Sequence, residues 1–164
     1  MGALVVDLSK RRFFNRRTVD DNTVRLPWLK PNTQFTDQCT RCGKCSEHCE
    51  TNIIVTGDGG FPRVDFSLGE CTFCYQCAEV CPEPLFEEQQ NTPWNAKAVI
   101  EEPCLAKQNV ECRSCGDMCE TMAIQFKLEI GKVAQPKLEL DDCTGCGACV
   151  AVCPTSAINV SNAV

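Results

Sequence analysis

The sequence predicts an α+β chain built as two tandem copies of one small unit with a basic N-terminal extension. Three observations carry that expectation: 16 cysteines in 164 residues, four groups of near-identical spacing, and a repeat that spaces the groups evenly. Cysteine at about a tenth of the chain is several times its ordinary usage. Aromatics are only 7%, so an apolar core alone would be thin, and something besides burial must hold the chain. His48 is the single histidine, and there is no G-x-S-x-G, Walker A or H-E-x-x-H run, which removes the usual hydrolase and nucleotide-binding readings. No apolar run approaches the roughly 20 residues that span a bilayer.

Residues 1–30 form the basic extension, with 7 Lys/Arg against 3 Asp, a balance of +4, while 31–164 carry 9 against 19, a balance of -10. The acidic body argues against nucleic acid, which needs a cationic footprint. Arg11-Arg12-Phe13-Phe14 looks like a twin-arginine export signal. The stretch behind it holds Arg16, Arg17, Asp20 and Asp21 and no apolar region, so export is not expected and a cytoplasmic protein is.

The groups are Cys39, Cys42, Cys45, Cys49; Cys71, Cys74, Cys77, Cys81; Cys104, Cys112, Cys115, Cys119; and Cys143, Cys146, Cys149, Cys153. Three read C-x2-C-x2-C-x3-C; the third stretches its first interval to seven residues. A disulfide framework would need an oxidising compartment and thiols spread for long-range bridges. Zinc would use separated C-x2-C pairs and leave the extra thiols without a role. A 4Fe-4S cubane needs a thiolate at each of four iron corners, and cysteines at i, i+3 and i+6 wrap three of them.

The fourth cysteine of each group is carried onto a short helix and points away from its own loop, as in bacterial two-cluster ferredoxins, where it ligates the other cluster. The expected sets are Cys39, Cys42, Cys45 with Cys81; Cys71, Cys74, Cys77 with Cys49; Cys104, Cys112, Cys115 with Cys153; and Cys143, Cys146, Cys149 with Cys119. Without this exchange the same 16 ligands serve in other partnerships. Four [4Fe-4S] clusters follow either way.

Cys39 to Cys112 spans 73 residues and Cys71 to Cys143 spans 72, so a 2[4Fe-4S] ferredoxin-like unit is copied twice, over 31–90 and 91–164. In the first unit Ile53 to Thr56 and Pro62 to Phe66 flank Gly57-Asp58-Gly59-Gly60, a hairpin signal. Ala123 to Leu128 and Val133 to Leu140 repeat it around Gly131. Residues 83–103, interrupted by Pro84, Pro93 and Pro103 just after Pro82, read as a connector.

Pro82 and Pro154 follow fourth cysteines and end their helices. Glu50 and Glu120 take that place in groups one and three, as solvated residues or as negative charge beside a cluster. Arg41, Lys44 and Arg113 lie inside the loops as a solvated face. Gly43, Gly116, Gly145 and Gly147 are expected to let backbone approach sulfur. Phe73 and Tyr75 shield a loop, and Trp28 and Trp94 pack the extension and the connector onto the units. His48 has no open cluster corner to fill.

The basic SKRR start, Arg25 to Trp28, Cys39-Thr40-Arg41-Cys42, Cys74-Tyr75-Gln76-Cys77-Ala78, the two glutamates, the long Cys104 to Cys112 interval and Cys143 to Cys149 together resemble the ferredoxin-type accessory proteins of bacterial periplasmic nitrate reductase systems. The resemblance implies a cytoplasmic, non-enzymatic protein with four clusters that acts on the molybdenum-containing catalytic subunit of periplasmic nitrate reductase before its export. Two function classes stay open: an assembly factor for that subunit, and an electron-transfer module serving a redox enzyme in turnover. A radical SAM enzyme would want C-x3-C-x2-C with an open iron corner, which is absent.

Overall fold

A computed structural model describes residues 24–30 and 35–162. The arginine-rich run with Phe13 and Phe14 lies outside the described residues.

The first half runs α1 (Phe35–Gln38), α2 (Lys44–Glu47), β1 (Ile54–Thr56), β2 (Pro62–Val64) and α3 (Gln76–Glu79). The second runs β3 (Ala96–Ile100), α4 (Ser114–Asp117), β4 (Ile124–Lys127), β5 (Gln135–Leu138), α5 (Ala148–Ala151) and β6 (Ile158–Asn162). Each helix is four residues long. One turn does not persist in water by itself, so these helices exist because packing holds their ends.

Both expected hairpins are present. β1 and β2 pair antiparallel with Ile54 opposite Val64 and Thr56 opposite Pro62. Gly59 and Gly60 turn the chain between them with φ of 66° and 81°, a region that glycine enters without a Cβ penalty. β4 and β5 pair with Ile124 opposite Leu138 and Lys127 opposite Gln135.

The connector holds a strand that the prolines hide in the sequence. β3 pairs with the C-terminal β6 over five residues, Ala96 opposite Asn162 through Ile100 opposite Ile158. Ala96 and Ala98 point inward and are almost fully buried, the period-two pattern of a strand with one covered face. Pro93 and Pro103 stand outside the strand, where proline removes no ladder bond. Among the described residues the counterpart in the first half is a single bridge between Leu29 and Phe86, flanked by Lys30 N–H to Leu85 C=O and Glu87 N–H to Trp28 C=O. Val24, Leu26 and Trp28, read in the sequence as the end of the basic extension, are therefore buried against the first unit.

Two principal cores result. One gathers Val24, Leu26, Ile53, Ile54, Val64, Phe66, Cys77 and Ala96; the other gathers Ala98, Cys115, Ala123, Ile124, Cys143, Cys149 and Ile158. Adjacent β3 residues thus serve both: Ala96 packs into the first core and Ala98 into the second. Cysteines sit among the aliphatics in each, which is how a chain poor in aromatics fills its interior.

Candidate metal centres

The cysteine loops share one backbone device. Left-handed residues occur between the first and second cysteines and again just after the second: Arg41 (φ 56°) and Gly43 (80°), Phe73 (54°) and Tyr75 (69°), Gly145 (75°) and Gly147 (86°). Alternating hand curls a backbone into a concavity whose N–H groups face inward, a shape suited to a negatively charged group. Non-glycine residues in this region carry strain of about 1–2 kcal/mol each. Their side chains are tied accordingly. Arg41 donates to Gly59 C=O at 3.0 Å and lies over the Phe61 ring, so it fastens the loop to the first hairpin. The Tyr75 hydroxyl donates to Glu87 C=O at 2.7 Å, and Trp28 meets Phe73 and Tyr75 edge-on.

The stretched third group departs from this pattern. Arg113 precedes α4 with φ of -133°, and the Cys104 to Cys112 segment is tied to the second hairpin instead: Gln135 Nε2 donates to Ala106 C=O, and Val133 N–H donates to the Asn109 side-chain carbonyl. A second left-handed turn follows the fourth cysteines of groups one, three and four, at Asn52, Met122 and Ser156. In group two the matching residue is Pro84, whose ring fixes a negative φ.

Helix α2 packs on α3 and α4 on α5, which brings the fourth cysteine of one group to the loop of the other. A cavity of about 270 Å³ has Cys39, Cys42, Cys45 and Cys81 in its wall. Narrower hollows of about 20 Å³ each are lined by Cys49, Cys71, Cys74 and Cys77 and by Cys119, Cys143, Cys146 and Cys149. For the remaining four, Cys104 packs with Cys153 beside Ala106 and Ala157, and Cys115 lies in electrostatic range of Cys104 and Cys112. Each of the three hollows combines three thiols of one loop with the fourth of its partner.

The thiols are chemically primed for a cationic core. Burial pushes Cys77 and Cys149 up to about 12, reinforced by the neighbouring thiols, and burial pushes Cys45, Cys71 and Cys115 up to about 11. Raised in this way, these five thiols resist ionisation, and positive charge bound among them would favour their thiolates and release protons. Donors are already aimed at sulfur: Ala157 N–H to Cys153 Sγ at 3.2 Å and Ala98 N–H to Cys143 Sγ at 3.5 Å. Burial raises Cys153, but the backbone N–H groups of Thr155, Ala157 and Ile158 and the Thr155 hydroxyl outweigh it and hold the thiol below its usual range. An all-sulfur donor set ringed by N–H groups fits a 4Fe-4S cluster.

A hydroxyl also recurs two residues after three of the fourth cysteines. Thr51 Oγ1 is 3.7 Å from Cys49 Sγ, Thr121 3.6 Å from Cys119 and Thr155 3.8 Å from Cys153. Cys81 has Glu83 in that place. The repeated C-x-T was visible in the sequence, yet its contact with sulfur depends on the turn that follows each helix.

Other expectations resolve as follows. His48 turns Nδ1 to Lys44 C=O at 3.0 Å, along its own helix. Glu50 accepts a bond from Gln76 Nε2 at 2.8 Å and so ties α2 to α3, while Glu120 is exposed. The Gly116 backbone N–H faces the Cys115 sulfur, as expected, and the glycine also makes room for the Phe126 ring, where a Cβ would lie 2.9 Å from it.

The 4Fe-4S dicluster domain family matches residues 38–84 and again 110–157. The ferredoxin-type protein NapF of Escherichia coli (strain K12) is 45% identical over 154 residues, covering 93% of this chain and 94% of that protein. The ferredoxin-type protein NapF of Haemophilus influenzae is 49% identical over 139 residues, covering 85% and 79%. The ferredoxin-type protein NapG of E. coli is 29% identical over 151 residues, covering 79% of this chain and 65% of that protein.

Proposed function

We infer the function from a plain premise: the chain belongs to the family of ferredoxin-type NapF proteins, with a 4Fe-4S dicluster domain in each half. It is an iron–sulfur protein of the ferredoxin type. Our reading is that it holds four 4Fe-4S clusters through the sixteen cysteines in the exchanged sets, and that it assists maturation of the catalytic subunit of periplasmic nitrate reductase in the cytoplasm. The single observation that carries the ligand assignment is the three-plus-one composition of the cysteine-lined hollows.

Bound clusters supply one-electron chemistry. The chain's own residues supply the rest. Cys77, Cys104, Cys115, Cys143 and Cys149 are buried, which keeps water from part of the second, third and fourth sets, while the first set has no buried cysteine, and Ala98 and Ala157 direct N–H groups at sulfur. Cys42 and Cys74 lie at the surface, where a partner approaches closely. The basic 1–30 segment, +4 against a body of -10, suits an acidic partner surface whose attraction weakens with salt. Among the described residues no helix is long and apolar enough to cross a membrane.

A second reading, an electron-transfer module serving a redox enzyme in turnover, draws on the same exposed cysteines. Affinity capture from anaerobically grown cytosol separates the two. Assembly expects the unexported, cofactor-free catalytic subunit as the captured protein. Capture of a mature redox enzyme, with its turnover slowed when this chain is removed, favours the carrier.

A further inference from the structure

Four clusters in two repeated units can follow one another in more than one order, and the joint between the halves decides which. That joint is made loop to loop. Cys71 N–H, at the head of the second loop, donates to Cys146 C=O, in the middle of the fourth, at 2.8 Å. Trp94, just before β3, fills the seam beside them. Its indole N–H donates to Thr144 C=O at 2.9 Å, and its ring meets Phe66 and Phe73 edge-on, with centroids 5.9 and 5.6 Å away. Phe66 leads into the second loop, Phe73 lies inside it, and Thr144 lies inside the fourth.

Glycine makes the close approach possible. A Cβ on Gly147 would overlap the Phe66 ring, and one on Gly145 would overlap the Ala96 carbonyl and touch the Trp94 indole nitrogen. Both glycines are left-handed, so each serves the loop's curl and the seam at once.

We propose that this seam sets the order of the four ligand sets along the molecule as first, second, fourth, third, with the Cys71 and Cys143 loops face to face across Trp94. The inference rests on the ligand partnership proposed above. The first set, at Cys42, and the third, at Cys112, then form the two ends at which partners donate or accept. With clusters bound, the second and fourth sets would be the pair between which a single electron passes from one half to the other, in either direction, with no bond made or broken. An external one-electron reductant supplies the electron.

The test is magnetic coupling in the holoprotein fully reduced with dithionite, read by electron paramagnetic resonance beside iron and sulfide content. Phe66→Ala and Trp94→Ala open the seam at residues outside the cysteine loops, and Ile130→Ala, at a fully exposed side chain of the second hairpin, is the control. Both seam variants are expected to lose the part of the broadening that arises between halves while each half keeps its internal coupling; the control keeps both. Iron loss confined to the second and fourth sets also supports the order, because only those sets adjoin the seam. Unchanged broadening with full iron, or iron loss from the first or third set, overturns it. Wild-type protein without roughly 16 iron would instead overturn the four-cluster reading beneath.

Discussion

The two halves carry the same cysteine pattern but close their open edges differently. The second half seals itself with the five-residue β3–β6 ladder. Among the described residues the first has one bridge, Leu29 to Phe86, beside Trp28 set against Phe73 and Tyr75. The difference teaches that the cluster loops, not the sheet, define the unit, since a ladder and an aromatic box frame the same three-plus-one arrangement of thiols. It also shows where each half is vulnerable: hydrogen bonds distribute the load over β3 and β6, whereas one indole concentrates it.

The largest expected effect is common to both halves. Stripping iron with chelator under oxidising conditions should leave the protein largely unfolded, because ligation replaces much of the apolar core. Hydrogen exchange would sharpen the comparison, with β3 and β6 the last amides to lose protection. A cooperative, native-like apo-protein would count against it.

Next comes the asymmetry itself. Trp28→Ala removes a buried ring and should destabilise by about 3–5 kcal/mol, whereas Ile100→Ala, at a half-buried ladder position, should lie near the lower end of the about 2–5 kcal/mol range for such truncations. Iron release during denaturation reads this: Trp28→Ala should free the first two sets ahead of the others. Equal release from both halves would break the comparison.

A smaller effect concerns potential. A hydroxyl donating to ligating sulfur stabilises the reduced, more negative cluster and raises its potential; a carboxylate does the opposite. Thr121→Val should therefore lower the potential of the set at Cys143, and Glu83→Thr should raise that of the set at Cys39. Each shift should be about 20–60 mV, from a hydrogen bond worth roughly 0.5–1.5 kcal/mol in a one-electron couple. Redox titration with Thr121→Ser as the rescuing variant checks both signs.

Least affected should be the clusters on deletion of residues 1–17, which end before buried Val24. Iron content and solubility should hold, while binding to the unexported catalytic subunit should be lost. Binding as tight as that of the intact protein removes the recruiting role, and loss of iron would make the segment structural.

Cysteine spacing made the repeat legible and turn residues between β-branched runs made both hairpins legible, because each depends on local rules. Strand β3 was not legible, since five residues between prolines become a strand only when β6, more than fifty residues later, supplies the partner. Arg41 is exposed, as read, and it also pins a strained turn through Gly59 and Phe61. Gly145 and Gly147 read as room for sulfur, and their neighbours across the seam give the further reason.

The exchange of fourth cysteines is the centre of this account, and Cys49→Ser tests it most directly. Magnetic and Mössbauer spectra of the reduced variant should show the set at Cys71, Cys74 and Cys77 damaged or lost and the set at Cys39, Cys42 and Cys45 intact. Damage to the Cys39 set with the Cys71 set intact would mean that each loop keeps its own fourth cysteine, and would contradict the account.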